Sequence, residues 1–289
     1  MKIKYFHYLL IAPVQVLLLI TIGIPALYIL WLSFQNSKFG NEIIYSGLNN
    51  YIFVLKDKYF WKAVLNTFII VNVVVYVELL LSTGLATFFA GGLPLKRLFI
   101  SVILAPYAMS EVVAVVIWKY MFEPEVGIIT TILFKLGFSD FDWSYNPNSA
   151  IILICLLSIW LHFPFSFLII YSARLGIPQD LYESSSVDGA KPYNQLLNIT
   201  IPLLMPAILV ALMFRYVFAF RLFSEVWLLT GGGPARQTEV LAIYLYRHAF
   251  RYHEFGIAAA IGWLMVIATL IISSGYLKAM YKKMLLNHA

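Results

Sequence analysis

Charge and cysteine are both scarce in this chain. Only 12% of its 289 residues are charged, against about 25% in soluble domains, while 62% are hydrophobic and the mean hydropathy is +0.84. The single cysteine, Cys155, excludes an internal disulfide framework and a cysteine-based metal site, and we interpret it as a small packing residue. The net charge of +6 is spread along the chain and does not indicate a nucleic-acid surface. This composition is typical of a membrane protein.

Sequence motifs for nucleotide and metal chemistry are absent as well. The P-loop pattern G-x-x-x-x-G-K-[ST], whose backbone amides cradle phosphates, does not occur, because "GGLPLKR" and "TGGGPAR" lack its Gly-Lys-Ser/Thr end. His248, His253 and Glu254 do not match H-E-x-x-H, and we interpret them as surface or partner-contact residues. The sequence therefore predicts no catalytic residues, no metal site and no cofactor bound by this chain.

Long apolar runs are abundant. About 20 apolar residues cross the hydrocarbon core as a helix, and continuous rather than alternating apolar sequence excludes strands. Six runs reach this length, at about 9–34, 63–89, 98–117, 150–171, 207–229 and 256–277. The first is too long for a signal-peptide core and has no small-residue cleavage site after it, so we expect a retained helix. The sequence predicts an all-α polytopic membrane protein with six transmembrane helices in a single domain over residues 1–289.

Lysine and arginine indicate the orientation of these spans. With the N-terminus inside, nine basic residues fall on each side, but the short connector Gly91–Arg97 holds two of them and the C-terminal tail three. Short loops and charges that flank a span count most in the positive-inside rule. We therefore expect both termini, and the polar loop at about 174–206, to lie in the cytoplasm.

The first half of that loop has the signals of a short helix. Pro178 is suited to a helix start, and Asp180 and Glu183 place negative charge in the first turn. Gly189 is the residue best able to adopt the left-handed conformation that ends a helix.

The second half, "KPYNQLL", predicts an amphipathic helix, after which Pro202 and Pro206 are expected to break or kink the chain. The loop is then either a solvated connector or a helix that inserts into a groove of a partner.

Ionisable residues inside spans are candidates for function, because burying them in lipid is unfavourable. Arg221 and Glu225 are four residues apart and are expected to pair on one helix face, either for function or as a structural pair. His162 lies inside "WLHFPF", where packing against a backbone carbonyl is the alternative to a functional role. The phenylalanines near these residues suit a sugar, which has apolar faces and hydroxyl edges.

Several segments together resemble one family. "LYESSSVDGAKPYNQLLNITIPLL" is similar to the cytoplasmic signature of permease subunits in binding-protein-dependent ABC importers. "LAPYAMSEVVAVVIWKYMF" and "LLTGGGPARQTEVLAIYLYRHAF" resemble its carbohydrate-uptake branch, close to the maltose-type and glycerol-phosphate-type permeases. With "GLNNYIFVLKDKYFWKAVLNT", the resemblance covers about residues 5–280 and implies the type I ABC importer permease fold.

For the loop, this resemblance implies a coupling helix that docks in a cleft of a cytoplasmic ATPase subunit. The residues that match its motif are Glu183, Ser184, Ser185, Asp188, Gly189 and Ala190. Glu183 would pair with a basic residue of the ATPase, and Gly189 would permit the sharp turn. Serines stand where the family usually has alanines; they remain small, and their hydroxyls can bond to nearby backbone.

For the substrate path, the resemblance to the maltose-type permease implies contacts from the third, fourth and fifth spans. With Arg221 added for its charge, the predicted residues are Tyr107, His162, Phe165, Phe218, Ala219, Arg221 and Leu222. Ala219 and Leu222 are apolar where that relative has amides, which puts maltose in doubt. His162 and Arg221 would instead favour an acidic saccharide or a phosphorylated polyol.

The resemblance also implies an assembly in a prokaryotic plasma (inner) membrane. Its other members would be a second permease subunit (either a copy of this chain or, as is usual in this branch, a different one), two ATPase subunits that bind ATP and Mg²⁺, and an extracytoplasmic solute-binding protein. External segments 35–62, 123–148 and 231–255 would receive the binding protein. The transported substrate would be a sugar or sugar derivative, such as an oligosaccharide.

The rival interpretation is a self-contained secondary carrier or channel, with a membrane enzyme as a third. In a carrier, Glu78, Glu111 and Glu225 would couple an ion to transport. No internal inverted repeat is detectable in the sequence, and the amphipathic cytoplasmic helix would have no role, so the importer is favoured.

Overall fold

Helices make up most of the chain. The computed structural model describes the backbone of residues 3–137 and 142–286 and the side chains of residues 10–137 and 142–275. Lys2, one of the basic residues that indicate orientation, lies outside the described residues. The α-helices are α1 (Ile3–Leu18), α2 (Ile24–Ser33), α3 (Asn49–Lys56), α4 (Lys58–Ala90), α5 (Lys96–Leu104), α6 (Glu111–Met121), α7 (Ile128–Lys135), α8 (Pro147–Leu175), α9 (Asp180–Val187), α10 (Pro192–Gln195), α11 (Ile201–Ala219), α12 (Ser224–Leu229), α13 (Leu241–Tyr246) and α14 (Phe255–Leu286). Two-residue strands β1 (Gln35–Asn36) and β2 (Ile44–Tyr45) form an antiparallel pair.

The number of apolar helices agrees with the prediction of six spans. Within the described residues, five helices are long and apolar enough to cross a membrane, and a bent pair of helices makes a sixth. The five ranges are Leu10–Ser33, Lys58–Ala90, Pro147–Leu175, Pro192–Ala219 and Phe255–Gly275, and the bent pair is Lys96–Ala108 with Glu111–Met121. The first span contains a π turn at Leu19–Gly23 between α1 and α2.

The third span is bent, where the sequence predicted one straight run at 98–117. Helix α5 passes into a 3-10 turn at Ala105–Ala108, and Met109 and Ser110 are extended before α6 begins. The two helical parts meet at 101°. Pro106 lies in the turn, and a proline removes a backbone donor and disfavours helix continuation. The bend places Tyr107 at its corner and Glu111 at the first position of α6.

The fifth span lies earlier in the chain than the predicted run at 207–229. Helix α10 continues through a π turn at Leu196–Thr200 into α11, which ends at Ala219. Residues 220–223 leave the helix, and α12 is a separate short helix. The predicted run thus joins the end of one helix to the whole of another.

Pro202 and Pro206 were expected to break or kink the chain, and the break is wrong because α11 continues through both. In the π turn, the N–H of Ile201 donates to the carbonyl of Leu196, five residues earlier. This change of hydrogen-bond register lies directly before Pro202, which occupies the first turn of α11, where its missing N–H is tolerated. Pro206 lies inside α11 without ending it.

The described residues divide into two compact units. The first comprises Met1–Trp61 and Tyr244–Ile267, and the second comprises Lys62–Ile243 and Ala268–Ala289. Each unit has its own buried polar contacts.

Polar contacts tie the first unit together. The Asn50 amide donates to the carbonyls of Ser33 and Gln35, at 2.8 Å each. His248 is buried, and its Nδ1 lies 2.9 Å from Oε2 of Glu254. The expectation that His248 is a surface residue was therefore wrong, because Glu254 and the Tyr244 ring enclose it. His253 is exposed, as expected.

The second unit contains two apolar cores, and α8 contributes to both. One core joins α4, α6, α8 and α12, with central residues Ile70, Val115, Leu153, Leu157, Val226 and Leu229. The other joins α4, α8 and α11, with central residues Val75, Leu79, Phe167, Ile170, Leu204 and Leu212. The substrate-path residues of α8 lie along this same helix.

Candidate functional site

A cavity of about 490 Å³ opens in the second unit among α4, the bend before α6, α8, α11 and the segment that leads into α12. The structure brings all of the predicted substrate-path residues to its wall: Tyr107, His162, Phe165, Phe218, Ala219, Arg221 and Leu222. Residues from four separate parts of the chain thus line one space, although their roles in binding stay a prediction.

Aromatic rings form one part of the wall, which we name the aromatic group (Tyr107, Phe165 and Phe218). The Phe165 ring lies 6.2 Å from the Tyr107 ring and 5.8 Å from the Phe218 ring, between centroids. Phe214, which the sequence did not single out, packs against Phe165 at 6.3 Å. These separations are typical of interacting aromatic pairs. The group offers an apolar surface on which the face of a sugar ring can lie.

Hydrogen-bonding side chains form another part of the wall, which we name the polar group (Glu111, Ser158, His162 and Glu225). His162 Nε2 lies 3.0 Å from Oε1 of the buried Glu225 and 3.9 Å from Oε1 of Glu111. Ser158 precedes His162 by one turn of α8, is buried, and its Oγ has no hydrogen-bond partner among the described residues. His162 Nε2 therefore contacts a carboxylate and not the backbone carbonyl considered from the sequence.

The polar group includes donor atoms that suit a cation as well as a sugar. One ligand atom each from Glu111, His162 and Glu225 lie within 4.8 Å of one another. Imidazole and carboxylate ligands are those that divalent transition metals accept. The sequence predicted no metal site, since these three residues come from three elements and have no motif spacing.

The expected pairing of Arg221 with Glu225 is wrong. It assumed one continuous helix, but α11 ends at Ala219 and Glu225 belongs to α12, where it contacts His162. Arg221 lies in the intervening turn and is exposed, and its side chain makes no ion pair or hydrogen bond with any described residue. It is therefore a cation at the cavity wall that faces no carboxylate partner.

Arg215, by contrast, has a complete ion pair. Its Nε donates to Oε2 of Glu78 at 2.6 Å and its Nη2 to Oε1 at 2.8 Å, and both side chains are buried. This bidentate geometry is the strong form of a charge-assisted hydrogen bond. The pair connects α4 to α11 and cancels the charge of Arg215 beside the cavity, and it leaves Glu78 without the free carboxylate that an ion-coupling site needs.

The segment in which the sequence predicts a coupling helix has the expected local structure. Helix α9 begins at Asp180, has Glu183 in its first turn, and ends at Val187. Gly189 follows with φ of +79°, the left-handed conformation that the sequence predicted for the helix stop. Glu183 is exposed, so it is accessible to a partner.

The serines of α9 behave as the sequence predicted. The Ser184 hydroxyl donates to the carbonyl of Leu181 at 3.3 Å, and the Ser185 hydroxyl donates to that of Tyr182 at 2.9 Å. Both bonds are made within the helix, so the two serines add only small side chains to the outer surface of α9.

Gln195 is a residue of this region that the sequence did not identify. Its Nε2 lies 3.1 Å from the carbonyl of Tyr182, 2.9 Å from the Ser185 hydroxyl and 2.8 Å from the Ser186 hydroxyl. A single amide thereby fastens α10 to α9. The contact joins residues 9 to 13 apart across a glycine turn, so no sequence periodicity marks it.

Tyr182 extends this attachment to the ends of the cavity helices. Its hydroxyl lies 2.9 Å from Thr200 Oγ1, in the π turn that precedes α11. The guanidinium of Arg174, near the end of α8, lies 4.4 Å from the centroid of the Tyr182 ring. Helix α9 is thus held at the point where α8 ends and α11 begins.

Known proteins resemble this chain over nearly its whole length. The family described as "Binding-protein-dependent transport system inner membrane component" matches residues 9–285. The trehalose/maltose transport system permease protein MalF of Thermococcus litoralis is 31% identical, over 96% of this chain and 95% of the relative. The sulfoquinovosyl glycerol transport system permease protein SmoG of Agrobacterium fabrum is 32% identical over 95% and 90%. The sn-glycerol-3-phosphate transport system permease protein UgpA of Yersinia pestis is 33% identical over 93% and 92%.

Solved structures give the same fold. A bacterial ABC transporter involved in the import of the acidic polysaccharide alginate matches with a TM-score of 0.84 and 20% identity, over 97% of this chain and 96% of the other. A second structure, of the alginate transporter in complex with an alginate pentasaccharide-bound periplasmic protein, matches at 0.81 and 21%, over 95% and 93%. The fold is that of the type I ABC importer permeases, and the relatives are transport subunits and not enzymes. With its apolar spans and the family match over nearly its whole length, this chain belongs to the inner-membrane components of binding-protein-dependent transport systems.

Proposed function

We propose that this chain is the membrane-spanning subunit of an ATP-driven importer that moves a sugar or sugar derivative, such as an oligosaccharide, into the cytoplasm. The observation that carries the proposal is the cavity, where an aromatic group and a polar group line the same space. A saccharide has apolar ring faces and hydroxyl edges, so it needs both kinds of contact.

The relatives support this substrate class. Their names specify trehalose and maltose, sulfoquinovosyl glycerol, and glycerol 3-phosphate, all of which are sugars or polyol derivatives. The three differ in charge, so their names leave the charge of this chain's substrate open.

The coupling helix is the proposed connection to ATP hydrolysis. Helix α9 is short, exposed, and held by Gln195 and Tyr182 at the base of the cavity helices. Such a helix suits insertion into a cleft of a partner. ATP and Mg²⁺ would be bound by two partner ATPase subunits, with Glu183, Ser184, Ser185, Asp188, Gly189 and Ala190 at the contact. Both termini and the 174–206 loop would then lie in the cytoplasm.

Further partners would cover surfaces that the isolated chain exposes. The most apolar part of Leu10–Ser33 buries none of its residues within the chain, and that of Pro147–Leu175 buries half. Lipid and a second, different permease subunit would cover these surfaces. A solute-binding protein would dock on the external segments 35–62, 123–148 and 231–255, of which residues 138–141 lie outside the described residues.

The test of coupling is Glu183→Lys in the assembled transporter. We expect it to insert and assemble normally but to lose stimulation of ATP hydrolysis by substrate-loaded binding protein, because it reverses the charge at the docking surface. Glu183→Asp, which retains the charge, is the matched control and should retain most of the stimulation. Normal stimulation in Glu183→Lys would refute the role of this residue.

The energy source separates the importer from its rival. Uptake into vesicles should require ATP and persist when ion gradients are collapsed. Uptake driven by an ion gradient without ATP would instead support a secondary carrier, and Glu111 and Glu225 would be the next residues to test.

The charge of the substrate that the cavity accepts depends on which charged side chains of its wall have no partner of opposite charge. The sequence favours an acidic or phosphorylated substrate if both His162 and Arg221 are available to it. In the structure, His162 faces two carboxylates, and Arg221 alone faces none. The balance between Arg221 and those carboxylates therefore decides the question.

A further inference from the structure

Positive and negative side chains are unevenly distributed around the cavity. Arg215 is neutralised by Glu78, and Arg221 lies alone on the turn between α11 and α12. Two carboxylates, Glu111 and Glu225, converge on the one imidazole of His162. The side of the cavity formed by the polar group therefore carries negative charge in excess.

The two carboxylates differ in how much of their bonding capacity is used. Glu225 is 3% exposed and is held by His162 at 3.0 Å. Glu111 is 47% exposed at the N-terminus of α6, and Nε2 of His162 lies 3.9 Å from its Oε1, beyond hydrogen-bond distance. Glu111 lines the cavity and therefore retains free acceptor positions there.

A second observation indicates that a ligand completes this wall. Ser158 is 1% exposed, lines the cavity, and has no hydrogen-bond partner for its Oγ among the described residues. Buried polar groups in folded proteins nearly always have a partner, and the Oγ of Ser158, at the cavity wall, can take one from a bound molecule. Ser158 and His162 are one turn apart on α8, so a ligand that reaches one also reaches the other.

Carboxylates and a serine hydroxyl suit the edge of a polyol. An ionised carboxylate accepts hydrogen bonds only, and adjacent sugar hydroxyls can donate two of them to its two oxygens. The serine hydroxyl can donate to or accept from a third. The aromatic group on the other part of the wall can contact the apolar face of the same ring. A phosphate or a carboxylate of the substrate would instead meet the charge of Glu111 with the same sign.

We propose that the polar group is a hydroxyl-binding subsite for an uncharged saccharide, and that Glu111 is the residue that excludes anionic sugars from the cavity. The inference rests on the proposed function, since it assumes that the cavity holds the transported sugar. It names the substrate class that the relatives leave open.

The experiment measures binding to the cavity itself. The assembled permease–ATPase complex is placed in nanodiscs without binding protein or nucleotide, so that selectivity of the binding protein does not enter, and EDTA is present. Affinity is measured by equilibrium dialysis at millimolar concentration for three pairs: trehalose and trehalose 6-phosphate, methyl glucoside and methyl glucuronide, and glycerol and glycerol 3-phosphate.

We expect at least one neutral member to bind about tenfold or more tightly than its anionic partner, because a like charge in a partly desolvated site costs at least this factor. Glu111→Gln, which removes the charge but keeps the shape, should reduce that ratio to about threefold or less by improving the anionic member. Arg221→Gln should increase the ratio, and Glu125→Gln, an exposed carboxylate outside the cavity wall, should leave it unchanged. Ser158→Ala should weaken both members alike.

Several results would overturn the inference. Equal or tighter binding of the anionic members to the wild type would do so, as would an unchanged ratio in Glu111→Gln or no binding of any pair. Binding that appears only when a divalent metal replaces EDTA would make the polar group a metal site. ATP-driven uptake of an anionic sugar would overturn the inference and leave the proposed function intact, whereas uptake without ATP would overturn the function and leave the binding ratios as measured.

Discussion

The buried ion pair between Glu78 and Arg215 allows a sharp test of what holds the cavity helices together. It is the one contact at the cavity in which two full charges are paired with two short hydrogen bonds, among the described residues. The perturbation is a set of three variants: Arg215→Met, Glu78→Leu, and the two together. Each replacement is apolar and of roughly similar volume.

The expected magnitude follows from burial. Side-chain exposure is 4% for Arg215 and 0% for Glu78, so either residue left alone is a buried charge without its partner. Removing one partner of a buried pair costs about 3–5 kcal/mol, and a lone charge at the centre of a membrane helix costs roughly 2.5–3.5 kcal/mol on insertion scales. The double variant leaves no charge, and such replacements are often neutral or stabilising. We therefore expect each single variant to lose about 3 kcal/mol and the double variant to recover most of it.

The assay is unfolding of the purified transporter by heat or denaturing detergent, followed by size-exclusion chromatography of the remaining assembled protein. Lys38→Met, which removes the exposed Lys38–Glu254 pair, is the control and should change stability by less than about 1 kcal/mol. The reasoning is that a buried charge destabilises the protein when its partner is missing, and that removing both charges does not. Single variants as stable as the wild type would refute it, as would a double variant no more stable than the worse single one.

Three further predictions concern the coupling segment and the aromatic group. Gly189→Ala should destabilise the turn after α9 by about 1 kcal/mol, because alanine disfavours φ of +79°; the loss is read from the temperature at which substrate-stimulated ATP hydrolysis fails. Gln195→Leu should lower the amount of sugar transported per ATP hydrolysed without reducing assembly. Asn194→Leu, at the exposed neighbouring amide, should leave that ratio unchanged; equal ratios in both variants would contradict a role for the Gln195 contact with α9. Phe165→Ala should weaken sugar binding by roughly tenfold, measured by equilibrium dialysis, and more than Phe214→Ala, since Phe165 lines the cavity and Phe214 contacts Phe165 without lining it; equal losses would contradict this assignment.

The apolar spans and the bounds of helix α9 were predictable because their signals are local. Lipid requires about 20 continuous apolar residues per helix, so each span is visible in composition alone. Helix α9 is marked by Asp180 and Glu183 at its start and by Gly189 at its end, and the structure has each of these at the predicted position.

The breaks within spans were harder to predict, because a proline has different effects in different hydrogen-bond registers. Pro106 lies at a sharp bend, whereas Pro202 and Pro206 lie in a continuous helix after a π turn has shifted the register. The end of α11 at Ala219 has neither glycine nor proline to mark it.

The polar group was not predictable as a group. His162 and Glu225 are 63 residues apart, and Glu111 is on a third element, so only the packing of α6, α8 and α12 brings them together. Spacing within one helix predicted the wrong partner for Glu225, because the helix it assumed does not exist. Each of these three residues was nevertheless identified as a candidate for function, because an ionisable side chain inside a membrane span is unfavourable in lipid.

The geometry also limits how a docked ATPase could act on the cavity. Tyr182 of α9 contacts Arg174 near the end of α8 and Thr200 just before α11. Helix α8 carries Ser158, His162 and Phe165, and helix α11 carries Phe218. The two helices pack directly against each other.

A displacement of α9 therefore reaches both walls of the cavity through helices, without passing through a loop. Arg174 is twelve residues beyond His162, or about 18 Å along α8, and both residues belong to this one helix, in which Pro164 lacks a backbone N–H. The weak point of this connection is the turn between α9 and α10, where Gly189 has open space around it and Gln195 supplies the cross-link. If docking moves α9, the amide of Gln195 decides whether α10 and α11 follow it or whether the glycine turn flexes. Coupling and substrate contact would then fail independently: variants at Gln195 should change the ratio of transport to hydrolysis at unchanged sugar affinity, and variants at Glu111 should change sugar affinity at an unchanged ratio.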